Sequence, residues 1–588
     1  LRLPRVWTRE PRSAWAPHAH TRGAQMKRLF RVAVALAAVG LAVAGVAYAT
    51  MEGHQVSVSN PYADCPLTPD IFGGVNYPDT ELEPWVTRNP ANADNFSGAF
   101  QQDRWSDGGA KGLVAGWSFN DGLKWGVTAL PFSKCALPYY GGAPCATTQG
   151  VASPTPCSLA YDRASDPWSD FGVDGTLYSV SISFNANDNN NAVGAATSSD
   201  GGVTWQNQTE IQHDIDADPL APFNDKESVT ADPVKAATAY AVWDRLSLVS
   251  CGPRGSSGRT PVADDRPWAR GPSPQAAVCF EGPTFFSRTT DGGHTWETPR
   301  PIVPTAPDEQ TISNQIVVDP NTGRLYDFYV YFPNTPPFTP ELRMVFSNDG
   351  GTTWSTQQFV NTEETVGIHD PQTGAPARTG DIIPEPTIDP STGQLYLAWQ
   401  DGRFNQNGED DVLVSTSVAG GLTGTWTAPQ VVNLPEDRAG FTPGIKVNTL
   451  GQLGIDYYSL RHPDLSSDVW PVERYLRITS GPAVVSAGSS GPTATFDFDQ
   501  PTHVTGPFNM LMAPDAGGFF VGDYESMAID GDGRRFHTYY SQMNCDTTNC
   551  PAVGFPAPAS GEFTPPSTRT SSPPDPMDVY TNKYFKNG

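Results

Sequence analysis

The chain is short of positive charge, of histidine and of long apolar runs, and each shortage removes a class of protein. Lys and Arg number 37 against 63 Asp and Glu, and beyond Ala49 the imbalance widens to 29 against 62. A surface this acidic repels phosphate backbones and anionic lipid, which excludes nucleic acid and membrane surfaces as partners. One uncharged apolar run stands out, Val32 to Val46, shorter than the ~20 residues that cross a bilayer. Nine His are scattered. None sits at ligand spacing from a Cys, and His369, His503 and His537 have no Ser or Cys partner for a triad. Helix is disfavoured from the other side: Gly and Pro number 56 each in 588 residues, about 19% where ~12% is usual. Both penalise helix interiors. A hydrophobic content of 38% with 11% aromatics is enough for a packed core.

The one apolar run reads as an address. Lys27, Arg28 and Arg31 precede it, and Ala47-Tyr48-Ala49 supplies the small-x-small pattern of a cleavage site. Residues 1–25 are expected to be an upstream translation artefact, 26–49 a signal peptide, and 50–588 a single exported domain. Eight cysteines follow the run: Cys65, Cys135, Cys145, Cys157, Cys251, Cys279, Cys545 and Cys550. An even number in local clusters predicts disulfides in an oxidising compartment, most simply Cys251–Cys279 and Cys545–Cys550.

Internal repetition carries the fold. Ser198–Trp205 reads SSDGGVTW, Thr289–Trp296 TTDGGHTW and Ser347–Trp354 SNDGGTTW; Ser118–Trp125 (SFNDGLKW) and the stretch near Ser415–Trp426 are degraded copies. Asp200, Asp291 and Asp349 are expected to accept hydrogen bonds from turn N–H groups, while Trp205, Trp296 and Trp354 pack beneath. Around each box lie β-rich runs such as DKESVTADP (225–233), SNQIVVDP (313–320) and QLYLAWQDGR (394–403). Each unit reads as strand, turn, strand, loop, strand, Asp-turn, strand. Four antiparallel strands repeated in a ring predict an all-β propeller. First strands near residues 83, 167, 226, 313, 384, 443 and 523 favour seven blades, with six as the rival count. DVYTNKYF (578–585) supplies a late strand, and residues 252–275 and 551–576 read as loop excursions.

These boxes resemble the Asp-box, or BNR, repeats of the sialidase-like superfamily. From residue 50 onward the chain resembles secreted bacterial propellers of that group, of the kind labelled exo-α-sialidase. In such a fold the first-strand starts and second-strand ends share one face, the mouth, and the Asp-turns lie on the other. Mouth positions here are rich in charge: Asp225-Lys226-Glu227, Asp523-Tyr524-Glu525, Asp166, Glu385, Asp244-Arg245, Asp401 and Arg403. The bland reading is a set of Asp–Arg pairs stitching blades together. The sharper one follows from the resemblance, which implies hydrolysis of a terminal anionic sugar from glycans. It makes Tyr524 the nucleophile, Glu227 or Glu525 its base, Asp225 or Asp523 the acid, and three of Arg104, Arg245, Arg403 and Arg461 the clamp on the sugar carboxylate. The Arg-x-Pro-like signature of that family is absent, the corresponding stretch reading ELEPWVTRNP (81–90). No cofactor is expected, although the acidic mouth offers oxygen ligands of the kind Ca2+ takes. A glycan-binding or protein-binding propeller without catalysis is the alternative.

Overall fold

The computed structural model describes residues 53–66, 70–71, 73–140, 146–147, 160–215, 218, 220, 222–251, 278–460, 470–488, 491–544 and 577–584. The expected leader, both loop excursions, Arg461, and Cys145, Cys157, Cys545 and Cys550 lie outside them. Among the described residues two disulfides join Cys65 to Cys135 and Cys251 to Cys279. No helix there is long and apolar enough to cross a membrane.

The protein is all-β, built from antiparallel sheets. Among the described residues seven four-stranded antiparallel runs, or units, can be traced through the sheets, two of which extend to nine strands; six of the runs follow chain order. Unit one comprises Glu81–Arg88, Phe96–Arg104, Ala110–Ser118 and Gly126–Ala129. The first strands of units two to seven are Arg163–Phe171, Phe223–Ala231, Glu309–Val318, Glu385–Ile388, Gly440–Val447 and Ser526–Ile529. Unit seven is completed from the other end of the chain, where His54–Gln55 pairs antiparallel with Met577–Tyr584. Each first strand packs against the next in order, and the seventh packs against the first. The contacts therefore run in a closed cycle.

Period-two alternation explains why the units stack. In Leu395–Asp401, Leu395, Leu397 and Trp399 point toward Phe328 and Met344 of unit four. Tyr396 and Ala398 point the other way, toward Ile445 and Tyr457 of unit six. Both faces are apolar because both are covered. The second strand of unit four, Leu325–Phe332, is buried along its whole length. Each fully buried Leu or Phe of this kind contributes about 1.5–3 kcal/mol.

The Asp boxes occupy the connections between third and fourth strands. In Ser198–Trp205 the Asp200 carboxylate accepts from Thr204 N at 2.8 Å and Thr204 Oγ1 at 2.6 Å, Ser198 Oγ accepts from Gly202 N at 3.0 Å, and Trp205 donates to Gly202 O at 3.2 Å. The same bonds recur around Asp349. In the degraded copy Asn120 substitutes its amide oxygen, which accepts from Lys124 N at 2.9 Å. The second glycine of the box is required twice over. Gly293 has φ +81°, and a Cβ there would stand 2.4 Å from Thr197 of the preceding unit. The box is thus a turn and also a buttress against its neighbour.

Candidate functional site

First strands begin at the mouth with a shared distortion. The ladder slips between Leu82 and Trp85, Ser165 and Trp168, Asp225 and Ser228, Ile312 and Gln315, and Phe441 and Gly444. At each slip one residue is left-handed: Glu83, Asp166, Lys226, Ser313 and Thr442. Such bulges re-aim side chains at a ladder's edge. Here they crowd charge into the middle of the cycle.

That centre is a buried ionic plug. Asp523 receives the Arg378 guanidinium through two nitrogens and the Lys226 ammonium at 2.9 Å. Burial alone would raise the Asp523 carboxyl, but the two cations outweigh it and hold it well below its ordinary range. Lys226 also lies 3.5 Å from Asp166. Its Nζ stands 5.8 Å from the Tyr524 ring centroid, and the Tyr524 ring packs on Trp168 with centroids 5.1 Å apart. Tyr524 is 2% exposed and Glu227 1%. Together with Asp166, Lys226, Ser313 and Asn314 they line a space of 10 Å3, about one water-sized sphere. The Tyr524 hydroxyl and both Glu227 oxygens have no hydrogen-bond partner among the described residues. Burial, then Glu83 and Asp166, push the Tyr524 phenol well up. Burial and Asp166 do the same to Glu227. Burial thus disfavours the charged form of both groups, which works against Glu227 as a base for Tyr524.

The remaining sequence-derived candidates fall into separate networks. Asp225 lies opposite Asp244 in the ladder and accepts from Lys226 N at 3.1 Å. Glu525, adjacent to Tyr524, points elsewhere: it accepts from Tyr458 Oη at 2.7 Å and from Ser541 N at 3.1 Å. Arg104 is fully buried, donates to Gln101 Oε1 at 2.9 Å and stands 5.0 Å from the Phe520 ring. Arg245 pairs with Asp214 at 2.5 Å, and Arg403 with Asp401 at 2.6 Å. The described members of the expected clamp do not meet at a common ion partner; each is engaged where it stands. Among the described residues no group of three or more His, Cys, Asp or Glu is placed to hold a metal ion.

Sequence reasoning missed the cap. Ile368–His369, Pro376–Arg378 and Phe519–Phe520 form a three-stranded sheet. Its residues join Leu82, Phe441, Tyr458, Trp470, Met510 and Met577 in one apolar cluster at the mouth. Phe520 lies between two guanidinium groups, 5.0 Å from Arg104 and 4.5 Å from Arg378. Arg474, also missed, is fully buried against Asp456 at 3.0 Å and 4.4 Å from the Tyr458 ring. Arg378 sits in a loop-like stretch, PQTGAPARTG, that carries no periodic signal. Arg474 alternates with apolar residues in Pro471–Ile478 and could have been flagged as an inward charge.

The opposite end of the cycle is open. An axial cavity of 340 Å3 is lined by residues from all seven first strands, among them Trp85, Trp168, Asp170, Gln315 and Lys446, down to Arg88 at the Asp-turn face.

No protein-family model matches the chain, and no curated protein matches it. Solved structures do. The α-L-arabinanase of Penicillium chrysogenum, complexed with arabinobiose, is 13% identical, with 67% of this chain and 94% of that one covered and a TM-score of 0.39. The leech intramolecular trans-sialidase is 11% identical, with 87% and 93% covered and a TM-score of 0.40. The intramolecular trans-sialidase of Ruminococcus gnavus is 14% identical, with 66% and 91% covered and a TM-score of 0.36.

Proposed function

We propose that this chain is an exported, seven-bladed β-propeller of the sialidase-like class that binds glycans without hydrolysing sialosides. The blade count is supported by seven four-stranded units whose first strands contact one another in a closed cycle. Export is supported by the two disulfides. The observation that carries the non-catalytic reading is the state of the arginines. Arg245, Arg378, Arg403 and Arg474 each already hold an aspartate, and the plug beneath the cap leaves room for about one water. A substrate carboxylate needs free guanidinium forks on an accessible face.

One observation favours a second reading, glycoside hydrolysis. Tyr524 and Glu227 line one space, and their oxygens are unclaimed by any described residue. With the cap displaced, Tyr524 would be the nucleophile and Glu227 its base. Purified protein and Tyr524→Phe, assayed on a fluorogenic α-sialoside and on immobilised glycans, separate the two. Glycan retention without turnover is expected. Turnover that disappears in Tyr524→Phe would overturn the binding reading and install the hydrolytic one.

A further inference from the structure

The axial cavity holds two cations that make no ion-pair contact with a carboxylate of the described residues. Lys446, half-buried in the first strand of unit six, stands 5.7 Å from the Trp85 ring and makes no hydrogen bond or ion pair with the described residues. Arg88, at the rim, spends two of its donors on backbone carbonyls, Ile529 O at 2.9 Å and Asn89 O at 3.1 Å, and pairs with no carboxylate. The carboxyls that act on them do so without ion-pair contact, Asp530 and Asp121 on Arg88 and Glu385 and Asp170 on Lys446, so the contact position beside each cation is open to an anion.

The carboxyls nearest Lys446 do not supply it. Asp170 is committed to Thr87 Oγ1 at 2.8 Å, Phe171 N at 2.9 Å and Ala231 N at 3.0 Å. Glu385, whose charged form Lys446 favours, is nevertheless pushed up to about 8 by burial. A cation is repelled here, and a neutral molecule would leave the ammonium desolvated without compensation.

Size and wall chemistry narrow the class further. A volume of 340 Å3 lies at the small end of ligand cavities, which span about 300–1,000 Å3. The walls are mainly apolar, with Trp85 and Trp168 stacked at 3.5 Å. Thr87 and Thr230 add hydroxyl oxygens anchored by donating to Asp170 and to Ile316 O at 2.7 Å; Thr87 Oγ1 also accepts from Phe171 N at 3.4 Å, and each oxygen keeps an acceptor position. Three donors on Asp170 leave about one of its four acceptor positions open. One fixed positive charge, apolar walls and a few acceptors suit a ring that carries one carboxylate and several hydroxyls.

We infer that the axial cavity, entered from the Asp-turn face, is a binding site for a single sugar-acid ring. Lys446 takes the carboxylate, Arg88 guards the entrance, and Asp170 with the threonine hydroxyls accepts from ring hydroxyls. The site is separated from Tyr524 by the Trp85 and Trp168 rings, against which Tyr524 packs from the mouth side.

The test is calorimetric titration of the purified protein with D-glucuronate, with D-glucose as the neutral counterpart. A glucuronate-terminated disaccharide separates a free acid from a chain end, and binding of either form supports the site. Saturable glucuronate binding is expected, with none for glucose. Lys446→Gln should weaken it about tenfold or more, Lys446→Arg should retain most of it, and the exposed Lys124→Gln, which removes the same charge elsewhere, should leave it unchanged. Thermal melts establish that each variant is folded. Absence of saturable binding to both acids up to about 10 mM, equal affinity for glucose, or equal loss in Lys124→Gln would overturn the inference.

Discussion

At the Asp-turn face, Asp349 accepts from Thr353 N at 2.8 Å and Thr353 Oγ1 at 2.7 Å, and its carboxyl falls to about 2. At the mouth, burial dominates: Glu385 is pushed up to about 8, and Glu83, Glu227 and Glu525 rise well above the ordinary range. One chemical group thus serves two purposes. In the turns a carboxylate is surrounded by donors before it is buried, so ionisation strengthens the fold. In the plug burial outweighs the few donors and raises these carboxyls, whereas Asp523, with two cations of its own, is held low. The cations divide likewise: those of the plug are paired, whereas Lys446 and Arg88 in the axial cavity are not.

The sharpest way to break this comparison is to unpair the plug. Arg378→Ala leaves Asp523 with Lys226 alone and should cost about 3–5 kcal/mol in urea unfolding. A loss below ~1 kcal/mol would mean the plug is wet and the contrast wrong.

The pH dependence comes next. A raised carboxyl binds a proton in the folded state that the unfolded chain has released, so its contribution weakens as pH rises from about 4.5 to about 8 for Glu385. Glu385→Gln should therefore match the parent near pH 5 and exceed it at pH 8, by about 3–4 kcal/mol across that span. The turn aspartates have the opposite sign. Asp200, which burial alone would raise, is lowered by its Thr204 and Ser198 hydrogen bonds. Such groups contribute fully above their unfolded value and lose that contribution as pH falls below about 4. Denaturation followed from pH 3 to 9 should show a maximum on the acid side of neutrality. A maximum above pH 8 would contradict the plug assignment.

Smaller effects sharpen the turn side. Gly293→Ala brings a Cβ against Thr197 at a left-handed φ and should cost about 1–3 kcal/mol. Asn120→Asp restores the missing carboxylate in the degraded box and should gain about 0.5 kcal/mol; a loss would show that the first box is not a true copy.

What could be read from the chain follows the distance over which each interaction acts. Asp200, Thr204 and Trp205 bond within one turn, so eight residues carry the motif. Inner strands were recognisable because Asp232, Asp319, Asp389 and Asp530 each cap the turn that follows, as Asp232 does by accepting from Val234 N and Lys235 N. The disulfide Cys251–Cys279 was legible from proximity in sequence, whereas Cys65–Cys135, spanning 70 residues, was not. The plug is assembled across longer intervals still. Arg378 and Asp523 are 145 residues apart, and Lys226 and Asp523 297. Asp523-Tyr524-Glu525 does not act as one constellation, because the two-residue period of a strand sends Glu525 to Tyr458 while Tyr524 turns to Trp168.

The pairing of His54–Gln55 with Met577–Tyr584 works as a clasp, reinforced where Ser57 Oγ donates to Asp578 at 2.5 Å across 521 residues. A stack of units with two loose ends would fray from either one, because a terminal unit has a neighbour on one side only. The clasp removes that distinction, so every unit is internal. Its cost is kinetic: six units can form in order as the chain emerges, but the seventh lacks its outer strand until residues at opposite ends of the fold meet. Completion of the circle is therefore expected to come last.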